Sequence, residues 1–177
     1  MTNEKNSADA SYGLALTQLS SYITPFIDDA SSSVSTEETA EAYETIKSSA
    51  VNAALLGIKK EEVYVSSDGT VWTLVSVSVE NLPYLYASAA EEYVVTLEEK
   101  RVTTEEKLED LLKSIEVNSD ENEQLTLSSE AVALKEKAEA KAAEIIAGID
   151  SLEKNLETEK IVETIRKNLK VAGFKVK

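Results

Sequence analysis

Side chains alternate between two faces over one stretch near the middle of the chain, and this stretch predicts a β-hairpin. Residues 70–79 are rich in valine and threonine, and residues 63–65 before them are also typical of a strand. Asp68 and Gly69 lie between the two runs, and this pair favours a type I′ turn, whose two central residues need positive φ. We therefore expect an antiparallel hairpin over residues 61–80.

The two faces of the second predicted strand differ in polarity. The face that we expect to be buried carries Val71, Thr73, Val75, Val77 and Val79. The opposite face carries Trp72 and Leu74 and then serines, so we expect it to be covered only in part, with Trp72 in a packing role. Because a two-stranded hairpin is marginal in water by itself, a further strand or a docked helix has to cover it.

The chain before the hairpin has the pattern of a tail followed by a helix. Residues 1–7 are polar and are predicted to form a disordered tail. Residues 8–28 have the apolar spacing of an amphipathic helix, which Pro25 should kink or stop because proline lacks a backbone N–H. The serine run at residues 31–33 then marks a break.

Two further helices are predicted on either side of the hairpin. Ser35 or Thr36 fits the N-cap of a capping box, and Gly57 is placed for a left-handed residue at the end of that helix. Asn81 and Pro83 fit the first positions of the next helix.

The helical pattern over residues 83–116 allows either one long helix or two. A second capping box at residues 103–106 would restart a helix, whereas a single helix would carry a polar patch at residues 98–101. We favour the break.

The composition changes after an acidic segment at residues 117–123, which we interpret as a loop and a domain edge. Beyond it, apolar residues recur at spacings typical of a coiled-coil or helical-hairpin seam: Ala138, Ala142, Ile145, Ile149, Leu152 and Leu156. The phase then slips, which indicates a turn near residues 157–158 or a stutter in one long helix. Gly173 should end the last helix, with residues 174–176 as a short final strand.

These elements together predict a mostly helical α+β fold in which amphipathic helices pack on an antiparallel hairpin. The predicted division is a disordered tail at residues 1–7, an α+β domain at residues 8–117, and a helical hairpin or coiled-coil extension at residues 124–177.

Composition and charge argue against several classes of site. With 18 basic and 33 acidic residues the net charge is −15, which opposes binding to nucleic acid or to an anionic membrane surface. The chain has 0 Cys and 0 His, so it lacks thiol nucleophiles and the commonest metal ligand, and we expect neither a metal nor a cofactor. No apolar run is long enough to span a bilayer.

Motifs for catalysis or calcium binding are weak in this sequence. Asn118, Asp120 and Asn122 alternate like calcium-loop ligands, but the loop has no glycine at its sixth position, and Ser129 stands where a bidentate glutamate belongs. An ordinary acidic loop is the better interpretation. Adjacent glutamates occur as pairs, but neighbours on a helix do not share a face, so we predict no catalytic dyad.

Two groups of residues are candidates for a partner-binding surface. Tyr84, Tyr86 and Tyr93 recur at helical spacing, and Ile145, Ile149 and Leu152 lie on the C-terminal seam. Packing within the core is the simpler interpretation of the tyrosines. The C-terminal seam could equally bind a partner helix, pair with a second copy in a homo-oligomer, or fold back on its own chain.

The first half of the chain resembles a known family in the order of its elements. The relevant segments read ALTQLSSYITPFIDDASSSV and then TAEAYETIKSSAVNAALLGIKKEEVYVSSDGTVWTLVSVSVE. They resemble the Lpp-twenty-like bacterial lipoprotein domain and are also similar to the amino-terminal domain of flagellar assembly protein T. The resemblance covers roughly residues 8–80, and its best-matching piece is the hairpin VYVSSDGTVWTLVSVSVE.

This resemblance implies an α+β domain that is exported, lipidated at its amino terminus and located in the cell envelope or periplasm. The family has no catalytic residues, so the resemblance assigns none here. The lipidated cysteine and a first strand before the first helix are missing from this chain, which fits removal of a leader, and the helical C-terminal part lies outside the match.

Two functions follow as hypotheses. The first is a non-catalytic domain of a bacterial lipoprotein that binds or scaffolds other envelope proteins, without a transmembrane segment of its own. The second is a soluble cytoplasmic adaptor that self-associates or binds partners through its C-terminal helices. An enzyme that uses buried carboxylates is a third hypothesis, which the sequence supports less.

Overall fold

The computed structural model describes residues 2–120 and 129–176, and it confirms a mostly helical α+β fold. The helices are α1 (Thr2–Ser32), α2 (Ala40–Leu56), α3 (Leu82–Asp120), α4 (Ser129–Asn155) and α5 (Thr158–Val171). The strands β1 (Lys59–Val65) and β2 (Val71–Ser76) pair as a two-stranded antiparallel sheet.

The chain forms two compact units whose boundaries differ from the predicted ones. The first unit comprises residues 1–91 and 157–177, and the second comprises residues 92–156. One boundary therefore falls inside α3, and α5 belongs with the hairpin rather than with α4. The predicted loop at residues 117–123 is wrong for residues 117–120, which are helical in α3, and residues 121–123 lie outside the described part.

Helix α1 is longer than the sequence pattern predicts at both ends. It already begins at Thr2, where we expected a disordered tail, and it continues through Pro25 to Ser32. Proline removes a single helical hydrogen bond, and the apolar residues after it keep the helix in contact with the core. The predicted serine break lies two residues later than expected, because Ser31 and Ser32 are still helical and α1 ends at Ser32. Ser31 and Ser33 donate hydroxyl hydrogen bonds to the carbonyls of Ile27 and Ala30, at 3.0 and 2.9 Å.

The N-cap of helix α2 lies three or four residues after the predicted one. Its N-cap is Thr39, which is buried and binds the turn before the helix, with its hydroxyl oxygen 3.0 Å from the donating backbone N–H of Thr36. Ser35 and Thr36 therefore belong to that turn, and the predicted capping box does not form. Gly57 does follow the last helical residue, but its φ of −84° is not left-handed, so the predicted conformation is wrong.

The hairpin forms where predicted, with a wider turn. The N–H groups of Ser66 and Gly69 donate to the carbonyls of Thr70 and Ser66, both at 2.9 Å, so Ser67 and Asp68 are the central residues of the β-turn. Gly69 follows them with a φ of 84°. The Asp-Gly pair is therefore not the centre of a type I′ turn, because local hydrogen bonds of the Asp68 side chain support a longer loop.

The core of the first unit is built around α1, which packs against β2, α2 and α5. The fully or nearly buried apolar side chains of these helices are Ile23, Ile27, Ala30, Ala42, Tyr43, Ile46, Ala50, Val51, Ala54, Ile161, Val162, Ile165 and Leu169. The valine face of β2 is half-buried as expected, and Val79 beyond the strand is buried.

The end of α5 confirms one prediction and corrects another. Gly173 has a φ of 89°, and the N–H of Phe174 donates to the carbonyl of Leu169 at 2.9 Å, which is a Schellman cap. Residues 174–176 form no strand. Instead the ring of Phe174 packs edge-on against Phe26 of α1, with 6.1 Å between centroids.

The second unit pairs the later part of α3 with α4. Arg101 of α3 binds Asp150 and Glu153 of α4, at 2.5 and 3.2 Å. The most buried side chains in this unit are Leu97 and Ile115 of α3 and Ala142 and Ile149 of α4. Ala142 and Ile149 belong to the predicted apolar seam. The turn near residues 157–158 is also confirmed, because α4 ends at Asn155 and α5 begins at Thr158.

The favoured break within residues 83–116 is wrong, because α3 is continuous through them. Thr103 and Thr104 donate their hydroxyl hydrogens to the carbonyls of Glu99 and Lys100, at 2.8 and 2.7 Å, and so do not cap a new helix. The polar patch that suggested the break includes Arg101, whose ion pairs with α4 explain why charged residues lie there.

Candidate functional site

One exposed apolar surface is the side of the hairpin that faces away from α1. Tyr64, Trp72 and Leu74 lie on this side and are 60%, 62% and 59% exposed. Tyr64 of β1 lies directly opposite Trp72 of β2 in the strand register, so the two aromatic side chains are cross-strand neighbours. We call these three residues the aromatic face.

The exposure of Trp72 corrects the expectation that it packs. The sheet stops at two strands, and α1 covers β2 on the valine side, so nothing in the described part of the chain encloses the opposite side. Strand β1 is exposed along its full length, including Val63 and Val65 at 40% and 56%. Large apolar side chains of the hairpin are thus exposed to water.

The loop at the end of the hairpin is held by one carboxylate. The hydroxyl of Ser66 and the backbone N–H of Thr70 both donate to Asp68, the latter at 3.0 Å. These hydrogen bonds, the one from Ser66 first, stabilise the ionised carboxylate and lower the pKa of Asp68 to about 2. The loop geometry therefore depends on a charged Asp68.

The hairpin is expected to lose stability in acid in a defined window. Because the pKa of Asp68 falls from 3.8 to about 2 on folding, its contribution is complete above pH 3.8 and is lost as the pH drops through about 2. Asp68→Asn should therefore be less stable than the wild type at pH 7. The difference in stability between the two proteins should shrink as the pH falls from 3.8 to about 2. Thermal unfolding of both proteins across this range tests the prediction, and an unchanged difference at about pH 2 would contradict it.

A groove runs beside the hairpin, where α1 meets β2. It has a volume of about 280 Å³ and is lined by Ala15, Gln18, Leu19, Tyr22, Thr73, Leu74 and Val75. The hydroxyl oxygen of Thr73 is buried and has no hydrogen-bond partner among the described residues. We call this depression the α1–β2 groove.

The six residues predicted for a partner surface are placed in different environments and in both units. Tyr84 of the first unit is 72% exposed, whereas Tyr86 is fully buried and presents nothing to a partner. In the second unit Ile149 is buried, and Tyr93, Ile145 and Leu152 are half-buried. The tyrosine spacing of two residues between Tyr84 and Tyr86 explains this split, because such neighbours point to different sides of a helix.

Sequence reasoning missed Tyr64 and Trp72 as surface residues. The available signal was the alternation itself, since Trp72 lies on the face opposite to the half-buried Val71 and Val75 and pairs with Tyr64 across the strands. Aromatic residues are usually assigned to the core, and this general tendency obscured the signal.

Other kinds of site find no support in the part of the chain that is described. No group of three or more Asp or Glu side chains there is arranged to hold a metal ion. None of the described helices combines the length and the apolar character that a bilayer crossing requires. No protein-family model, curated protein or solved structure matches this chain.

Proposed function

We propose that this chain is a non-catalytic protein-binding domain of the bacterial cell envelope, and that it docks another protein through the aromatic face. The observation that carries the proposal is the exposure of Tyr64 and Trp72 side by side on the hairpin, at 60% and 62%. Tyrosine and tryptophan are enriched at the energetic centres of interfaces because they bury large apolar areas and lose little side-chain entropy.

The chemistry of the partner follows from the surroundings of this face. The partner has to offer an apolar patch that covers Trp72 and Leu74, since these side chains gain most from leaving water. The net charge of −15 favours a partner with basic residues around that patch, because long-range attraction raises the association rate.

Two purified surface variants test the binding part of the proposal. Candidate partners are first captured from a bacterial envelope extract on the wild-type protein, then identified, purified and titrated. Trp72→Ser and Tyr64→Ser should each weaken a genuine partner about 30-fold, the effect of losing about 2 kcal/mol at an interface centre. Tyr64→Ser keeps the single Trp, so the change in Trp72 fluorescence also reports docking directly.

Tyr84→Ser is the matched control for these variants. Tyr84 is 72% exposed on α3 and lies outside the hairpin, so its loss should leave the affinity unchanged. The proposal is wrong if every purified partner binds Trp72→Ser as tightly as it binds the wild type, or if Tyr84→Ser weakens binding equally.

The envelope location is supported by the resemblance of residues 8–80 to the lipoprotein domain family. The intact mass of the endogenous protein from fractionated cells tests it. An acylated amino-terminal cysteine in a membrane fraction would support the location. A protein in the soluble fraction that starts at Met1 would exclude it and leave the binding proposal to be judged by itself.

Self-association through the second unit is a second candidate. Val95 and Val102 lie seven residues apart on α3, and they are 58% and 44% exposed. Pairing with a second copy would bury these valines in a four-helix bundle, whose core is built from apolar positions on facing helices. A molecular mass that stays monomeric at all concentrations would exclude it.

A further inference from the structure

The α1–β2 groove lies along the outer edge of β2 rather than on one face of the sheet. Its lining includes three consecutive strand residues, Thr73, Leu74 and Val75. The lining comes from α1 and β2 and includes no residue of β1, which places the depression on the side of β2 away from β1. Strand β2 pairs only with β1 in the described part of the chain, so this edge has no strand partner there.

The backbone groups at this edge can be assigned from the ladder pattern. Hydrogen-bonded and non-hydrogen-bonded pairs alternate in an antiparallel ladder. Since the N–H of Ser66 donates to the carbonyl of Thr70, the pair of Tyr64 and Trp72 is again hydrogen-bonded, and Thr73 falls on a non-hydrogen-bonded pair. The N–H and carbonyl of Thr73 therefore point away from β1, at the edge of the strand, and Thr73 also lines the groove.

The groove has the dimensions and chemistry of a site for an extended peptide. Along α1 it runs from Ala15 to Tyr22, a length of about 10 Å at 1.5 Å per residue, which three or four residues of a strand would cover. Its lining residues are uncharged, and the Thr73 hydroxyl lacks a partner. Leu19 and Tyr22 of α1 offer an apolar wall for side chains on one side of such a strand.

We infer that the edge of β2 binds an extended segment of a partner protein, which adds to the hairpin as a third strand beside α1. This inference rests on the proposed binding function and names the form in which the partner binds. The segment has uncharged β-branched residues at alternate positions, to fit the groove, and basic residues at its ends, to complement the net charge of −15.

A peptide experiment on the full chain tests this inference. The probe is an array of synthetic peptides of about eight residues, with Val, Ile or Thr at alternate positions and Lys at both ends. Peptides selected on the wild type should bind at least about tenfold more weakly to Gln18→Trp, because an indole on this exposed position fills the groove. Thr17→Trp, at an exposed neighbour that does not line the groove, is the matched control and should bind normally.

Two further readouts separate strand addition from other ways of binding. N-methylation of the peptide amides that face β2 should abolish binding, whereas methylation of the alternate amides should be tolerated. Hydrogen exchange of the Thr73 amide should slow on binding, whereas the Trp72 amide, which already faces β1, should not change.

The following results would overturn the inference. It fails if no peptide of the array binds, or if binding ignores Gln18→Trp or N-methylation. A purified partner that needs Trp72 but binds Gln18→Trp normally would overturn the strand addition and leave the proposed function standing. If peptides bind in the groove but no purified partner depends on Trp72, the strand addition stands and the proposed function is overturned.

Discussion

Ile27→Ala is expected to destabilise the first unit by about 2–5 kcal/mol, the range for a large aliphatic side chain removed from a packed core. Ile27 is fully buried on α1, the helix that contacts β2, α2 and α5. The loss of three side-chain carbons opens a cavity among rigid neighbours that close it only in part, so the cost exceeds the transfer energy of the removed carbons. Urea denaturation followed by far-UV circular dichroism measures the change.

Leu14→Ala provides the control on the same helix. Leu14 is 61% exposed, so its loss should change the free energy of unfolding by no more than about 0.5 kcal/mol. Similar effects of both substitutions would show that the face of α1 towards the core is assigned wrongly. Because the two units can unfold in separate transitions, the free energies of the two variants are compared for the transition that Ile27→Ala shifts.

Tyr86→Phe is expected to stabilise the protein by about 1 kcal/mol, which is unusual for a core substitution. Tyr86 is fully buried, and its hydroxyl has no hydrogen-bond partner among the described residues. Burial also raises the pKa of Tyr86, so the hydroxyl stays neutral and cannot gain from ionisation. Phenylalanine keeps the ring packing and removes the unpaired polar group. Thermal unfolding of both proteins measures the gain.

Tyr43→Phe is the matched opposite. The hydroxyl oxygen of Tyr43 accepts a hydrogen bond from the backbone N–H of Glu157, at 3.3 Å, just before α5 begins. Removing this acceptor should cost about 1 kcal/mol. If Tyr86→Phe destabilises the protein as Tyr43→Phe does, the Tyr86 hydroxyl has a partner and the prediction is wrong.

Local patterns predicted several parts of the fold correctly. The alternation around Val71 and Val75 identified the hairpin and its half-buried face, and the phase slip after Leu156 located the start of α5. Gly173 was identified as a helix end because its left-handed conformation suits glycine. In each of these places the local preference of the chain agrees with the packing.

Other parts were beyond prediction because they depend on distant contacts. The apolar stripe of α5 is visible in the sequence, but nothing in it says that α1 rather than α4 is the neighbour. Helix α3 continues through the polar patch, where Arg101 binds Asp150 of α4, which lies about 50 residues later in the chain. The exposure of Trp72 depends on the absence of a further strand in the described sheet, and a pattern cannot show such a boundary.

The placement of α5 has a consequence for how the protein is made. The core of the first unit needs Ile161, Ile165 and Leu169, but about 65 residues of the second unit are synthesised between α5 and the rest of that core. At about 5–20 residues per second this interval lasts about 3–13 s. During this interval α5 cannot yet cover its side of α1, so apolar side chains of α1 stay exposed on the growing chain. We expect chaperones that bind exposed apolar segments to bind the chain at this stage.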